Sequence, residues 1–164
     1  MSCISEIGSG QKMSGREDKK SNDLFYTCSL IGYIARKTSN KPSHIVSMLG
    51  KEAISKIYEL ADVYHSDNID RVADDLITDH NITNGSFDNV AECEYSIPTH
   101  WDIGKVYKRL ILAVSENSGD DIISSLMNVY SSKIVDLIED YNSSFYYDNL
   151  GTIFATYQND CIPE

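Results

Sequence analysis

The sequence predicts an all-α protein: two pseudo-repeated helical units, about eight helices in total, packed into one bundle-like domain. Apolar residues recur at three- and four-residue spacing over most of the chain from Asp23 onward, the signature of helices with one buried face. The chain also matches itself at an offset of 77 residues. Across Ile34–Ile77 and Ile111–Phe154, 11 of 44 positions are identical without a gap, where chance at this composition gives about three. The identities include Ile34/Ile111, Leu49/Leu126, Ile57/Ile134, Leu60/Leu137 and Tyr64/Tyr141.

Taken in order, residues 1–22 read as a flexible N-terminal tail, with Gly8, Gly10, Gly15 and the charged run Arg16–Lys20. The first unit spans 23–80. Leu24, Cys28, Ile31, Ile34 and Ala35 share one helix face, Asn22 or Asp23 is placed to cap it, and Ser39–Pro42 ends it. Pro42 suits a first helical position and opens a short helix to Leu49. Gly50 stops it, and a longer helix follows over Lys51–Tyr64. Asp67 or Asn68 can cap a helix over Ile69–Asp79.

Residues 81–98 break the period and form the linker. Asn84-Gly85 signals a tight turn, and the weak alternation of Val90–Ile97 suits a short strand or an ordered loop. The second unit spans 99–158. Thr99 with Asp102 three residues on forms an acidic capping box, and Ile103, Val106, Tyr107, Leu110, Ile111 and Val114 line the following face. Ser118-Gly119 turns the chain, Asp120 caps a helix to about Tyr130, and helices over Ser132–Tyr141 and Thr152–Gln158 follow. Residues 159–164 are a C-terminal tail.

Composition narrows the function. The 164-residue chain carries a net charge of −11, and residues 1–22, with four Lys/Arg against three Asp/Glu, leave −12 on the rest. Such a body repels phosphate backbones, so direct nucleic-acid binding is not expected, and it attracts a basic surface. No apolar run approaches bilayer length and no signal core opens the chain, so a cytoplasmic protein that does not enter membranes is expected. The four cysteines are scattered, as free thiols would be.

No motif names a reaction. Four histidines (His44, His65, His80, His100) lack metal-ligand spacing. Cys28 reads as core, and Cys93 lies between Glu92 and Glu94, which disfavour a thiolate. Asp75/Asp79 and Asp136/Asp140 are carboxylate pairs without a third partner for a cation. No catalytic residue, metal or cofactor is therefore assigned. The aromatics say more. Eleven tyrosines stand against four phenylalanines, a bias of contact surfaces. Tyr95 and Trp101 flank the linker, and Phe145-Tyr146-Tyr147 stands where the other unit has the more polar Asn68-Ile69-Asp70, so Tyr95, Trp101, Tyr146 and Tyr147 are the expected partner anchors. Tyr64 and Tyr141 are expected to be core, with their hydroxyls reaching the surface. Asp74, Asp75, Glu139 and Asp140 are expected on the surface, speeding encounter with a basic partner.

Ile45-Val46-Ser47-Met48-Leu49, then Ile57 to Tyr64, then the His65-Ser66 corner resemble a family of short, uncharacterised bacterial helical proteins. Its genes stand beside genes for ADP-ribosyltransferase-like proteins. The resemblance covers roughly a quarter of the chain per copy, and the second copy departs from it at Asn142-Ser143. It implies an antitoxin or accessory role and carries over no catalytic residue. The expected function is thus a non-enzymatic module that binds a basic protein. Two alternatives stand beside it. One is a small enzyme or ligand-binding protein with His65, Asp67, His100 and Trp101 converging between the units. The other is an acidic mimic of nucleic acid.

Overall fold

The helical periodicity becomes eight α-helices and one 3₁₀ turn, with no strand among the described residues. The structure is a computed structural model describing residues 3–161, with side chains described over 18–160. The helices are α1 (Cys3–Thr38), α2 (Pro42–Glu59), α3 (Ala61–His65), α4 (Ile69–Asp79), α5 (His100–Ser118), α6 (Ile122–Tyr130), α7 (Ile134–Ile138) and α8 (Leu150–Cys161), with the 3₁₀ turn at Phe145–Tyr147. No described helix is long and apolar enough to cross a membrane.

The local signals explain most boundaries. Thr99 and Asp102 form the reciprocal capping box of α5, with bonds of 3.0 and 2.9 Å. Asn68 caps α4, its side chain accepting from Asp70 N at 2.8 Å. Gly119 ends α5 at φ +80°, a left-handed conformation that glycine adopts without a Cβ penalty.

Four expectations are corrected. Helix α1 already begins at Cys3, within the stretch read as a tail, and neither Asn22 nor Asp23 caps it. Asp23 is buried within the helix. Lys19, one turn earlier, bonds both Asp23 (2.9 Å) and Asp62 of α3 (2.8 Å), tying this part of α1 to the body. Residues 1–2 and 162–164 of the expected tails lie outside the described residues. The break expected at Gly50 is present as a non-helical residue (φ +81°) that kinks α2, but Lys51–Tyr64 is not one helix, because α2 ends at Glu59 and α3 begins at Ala61. Of the helix expected over Ser132–Tyr141 only Ile134–Ile138 forms, because Glu139 and Tyr141 turn inward into a buried hydrogen-bond network. Asp121 takes the N-cap position expected for Asp120.

The two long helices α1 and α5 pack along one another at the centre. Each carries its own flanking helices, α2 and α4 on α1, α6 and α8 on α5, and α2 also meets α6. A single apolar cluster runs through all of them. The two long helices approach closely at Gly104 of α5, where an added Cβ would come within 2.9 Å of Ser29 Cα and N. Of the residue pairs 77 apart, Ile34/Ile111, Leu49/Leu126 and Ile57/Ile134 are buried in both members, and Leu60/Leu137 are 39% and 40% exposed.

Candidate functional site

The linker fixes the site. It returns along the C-terminal end of α1, where Gly85 N donates to Thr38 O (2.8 Å) and Phe87 N to Ser39 O (2.9 Å). Its far end docks on the corner after α7. Asn142 makes this join, its Oδ1 accepting from Glu94 N (2.7 Å) and its Nδ2 donating to Glu92 O (3.0 Å). These bonds take up linker backbone groups that a strand partner would otherwise satisfy, so Val90–Ile97 is an ordered loop. The corner itself is shaped by Ser143, whose Oγ accepts from Phe145 N (3.0 Å) at the start of the 3₁₀ turn.

Pinned in this way, Tyr95 lies beside Tyr146 and Tyr147 in one groove of about 710 Å³, with Tyr141 and Ser143–Ser144 at its base. Tyr95 is 68% exposed and Tyr147 72% exposed, whereas Tyr146 is buried. Tyr146 stacks on Tyr147, with ring centroids 4.3 Å apart, and meets Tyr141 edge-on at 5.7 Å. Burial pushes the Tyr146 hydroxyl up to about 12, so it stays neutral and available for hydrogen bonding. Three of the four expected anchors therefore come together. Trp101 does not join them: it packs on Phe25 of α1 and on His100, at centroid distances of 5.5 and 4.7 Å, filling the α1–α5 seam.

Beneath the groove lies the network that holds Tyr141. Glu139, expected on the surface, is buried and accepts from Tyr107 Oη (2.8 Å), Tyr141 Oη (2.9 Å) and Asn89 Nδ2 (3.1 Å). Arg36 donates to Tyr141 Oη (3.0 Å) and Pro98 O (2.6 Å), with its guanidinium 5.4 Å from the Tyr141 ring centre. Burial pushes the Glu139 carboxyl above its usual range, and the three donors hold that rise in check. Burial and the same carboxylate push the Tyr141 phenol far upward. A cavity of about 220 Å³ opens beside this network, lined by Arg36, Asn89, His100, Glu139 and Tyr141. His100 Nε2 faces no hydrogen-bond partner, and burial lowers its basicity.

The alternative cleft of His65, Asp67, His100 and Trp101 is not assembled. His65 packs edge-on against Tyr26, and His100 against Tyr33, two helical turns further along α1. His65 lines a separate hollow of about 390 Å³ with Asp23 and Asp62. Asp67 is exposed in the turn before α4, where it accepts from Asn68 N (2.8 Å). Cys28 is fully buried and its thiol is pushed up to about 12, which suits a core residue and not a nucleophile.

Arg36, Asn89, Glu139 and Asn142 were not singled out from the sequence as parts of a site. For Glu139 a signal existed: it lies four residues after Val135, on the buried face of α7. For Asn142 there was none, since its role depends on a loop fifty residues away. No family model, curated protein or solved structure matches this chain.

Proposed function

We propose that this chain is a non-enzymatic module that binds a basic protein through the Tyr95–Tyr146–Tyr147 groove. The supporting observation is the origin of that groove. Its walls come from two stretches, 72–104 and 134–164, that contain no Lys or Arg and hold seven and six acidic residues. Two tyrosines stand there about 70% exposed, although the core has no use for them; large rigid aromatics in an acidic field suit protein recognition. The architecture belongs to the same proposal. Two copies of one helical unit were joined, as the 77-residue match and the parallel helix pairings suggest, and only the second corner acquired aromatics. The resemblance to the bacterial helical family makes an antitoxin-like or accessory role, toward a toxin or effector, the reading of that partnership.

Capture from the native host at low and high salt, with wild-type protein and a Tyr95→Ala/Tyr147→Ala variant, tests it. The expected result is a basic protein held by wild type, weakened by salt and lost with the double variant. Equal capture by both proteins would refute the groove.

A second reading has one observation in its favour. The cavity between α1 and the second-half corner holds a buried carboxylate, a guanidinium and an unpartnered imidazole nitrogen, which suits a small polar ligand. It would use His100 with Arg36 and Glu139, not with His65 and Asp67.

A further inference from the structure

Tyr146 and Tyr147 stack with planes 28° apart. Tyr146 is enclosed between Tyr141 and Tyr147, but Tyr147 is covered on one side only and is largely exposed. The stack thus ends in an aromatic ring open to solvent, able to receive another flat group. Glu94 and Asp148, next in sequence to Tyr95 and Tyr147, are exposed at the rim of this corner, outside the residues that line the groove itself. The same corner already contains such a layer, since the Arg36 guanidinium lies over Tyr141.

We propose that the groove takes an arginine from an extended basic segment of the partner, its guanidinium lying on Tyr147 as the next layer of the stack. This rests on the groove being the partner site. An arginine is planar and weakly hydrated, so it keeps stacking and hydrogen-bonding capacity together, whereas a lysine ammonium loses more water for the same contact. Tyr95 forms the opposite wall, and Glu94 and Asp148 supply the counter-charge. A nucleobase would also stack, but the residues lining the groove include no Lys or Arg to receive its phosphates. The groove, at about 710 Å³, has room for several residues of an extended peptide.

Calorimetric titration with the heptapeptides Gly-Arg-Gly-Arg-Gly-Arg-Gly and Gly-Lys-Gly-Lys-Gly-Lys-Gly provides the test. The arginine peptide should bind about three- to tenfold more tightly, and Tyr147→Ala should abolish that difference while leaving the melting midpoint unchanged. A preference for arginine that survives Tyr147→Ala, or absence of binding by either peptide, overturns the proposal. Equal binding of the two peptides that disappears in Tyr95→Ala/Tyr147→Ala overturns the arginine preference and leaves the groove as a basic-partner site. Binding of both that the double variant does not alter removes the groove reading as well.

Discussion

Replacing Tyr107 with Phe removes one hydroxyl from the buried network and keeps the ring that stacks on Tyr130 at 4.5 Å. Tyr107 Oη is the donor to Glu139 Oε2 at 2.8 Å, while Oε1 keeps Tyr141 and Asn89. A hydrogen bond to a charged group contributes about 1.5–3 kcal/mol, and its loss here leaves a carboxylate oxygen buried without that donor. We expect Tyr107→Phe to cost about 2–3 kcal/mol near neutral pH, a fall of about 1 M in the urea midpoint. The penalty must also depend on pH. The Glu139 carboxyl titrates higher in the folded protein than in the unfolded chain, so its contribution to stability is fully present below the unfolded value and is lost as pH rises through the folded one. Removing a donor raises the folded value further. The gap between wild type and Tyr107→Phe should therefore widen from about pH 5 to about pH 8. Paired urea melts at the two pH values measure it. A gap that is independent of pH, or one that narrows as pH rises, would refute an ionised Glu139 held by Tyr107.

Two further perturbations test the frame that holds the groove. Gly104→Ala would place a Cβ 2.2 Å from Ser29 Oγ and 2.9 Å from Ser29 backbone atoms, forcing α1 and α5 apart at a cost of about 1–3 kcal/mol; because the backbone clash remains, adding Ser29→Ala should not restore the melting temperature, and full rescue would sink the account. Thr99→Ala breaks the α5 capping box and should cost about 1 kcal/mol in chemical denaturation, with a loss below about 0.3 kcal/mol counting against the cap.

The sequence revealed those parts of the fold that depend on local chemistry. Helix faces, the Thr99 cap, Pro42 at a helix start and the Gly50 break are all decided within a few residues, and each is found in the structure. The errors arose where distant groups compete with local preference. Met1–Asn22 looks loose by composition, but Lys19 reaches Asp62, 43 residues away, and α1 runs from Cys3 onward. Ser132–Tyr141 has a helical pattern, yet Glu139 and Tyr141 turn inward toward Tyr107, Arg36 and Asn89. In the site, choosing Tyr95, Tyr146 and Tyr147 followed from the tyrosine bias of contact surfaces and from their place at the linker and at the second corner. Assigning Trp101 to that group failed because its large apolar ring is better placed in the seam against Phe25.

Under the proposed doubling, the two corners divide the labour between them. At offset 77, Asp62 pairs with Glu139, His65 with Asn142, and Asn68-Ile69-Asp70 with Phe145-Tyr146-Tyr147. In the first half Asp62 is exposed and bonded to Lys19, and Asn68 spends its side chain capping α4. That corner is bound up in holding helices together. In the second half the acidic residue sinks into the core, and Asn142 turns its amide outward to hold the linker. With the linker pinned and α8 starting only at Leu150, the turn at 145–147 has no capping task and can display aromatic rings. Under the proposed doubling, the asymmetry of the acidic side chain at one repeated position, exposed at Asp62 and buried at Glu139, is what frees the second corner for recognition. Exchanging them therefore has unequal effects: Asp62→Glu should leave the melting temperature nearly unchanged because its carboxylate lies in solvent, whereas Glu139→Asp retracts a buried carboxylate from Tyr107 and Tyr141 and should lower it by several degrees, about 1–3 kcal/mol. Equal effects of the two substitutions in a thermal melt would mean that the corners carry the same burden and that the second is no more specialised than the first.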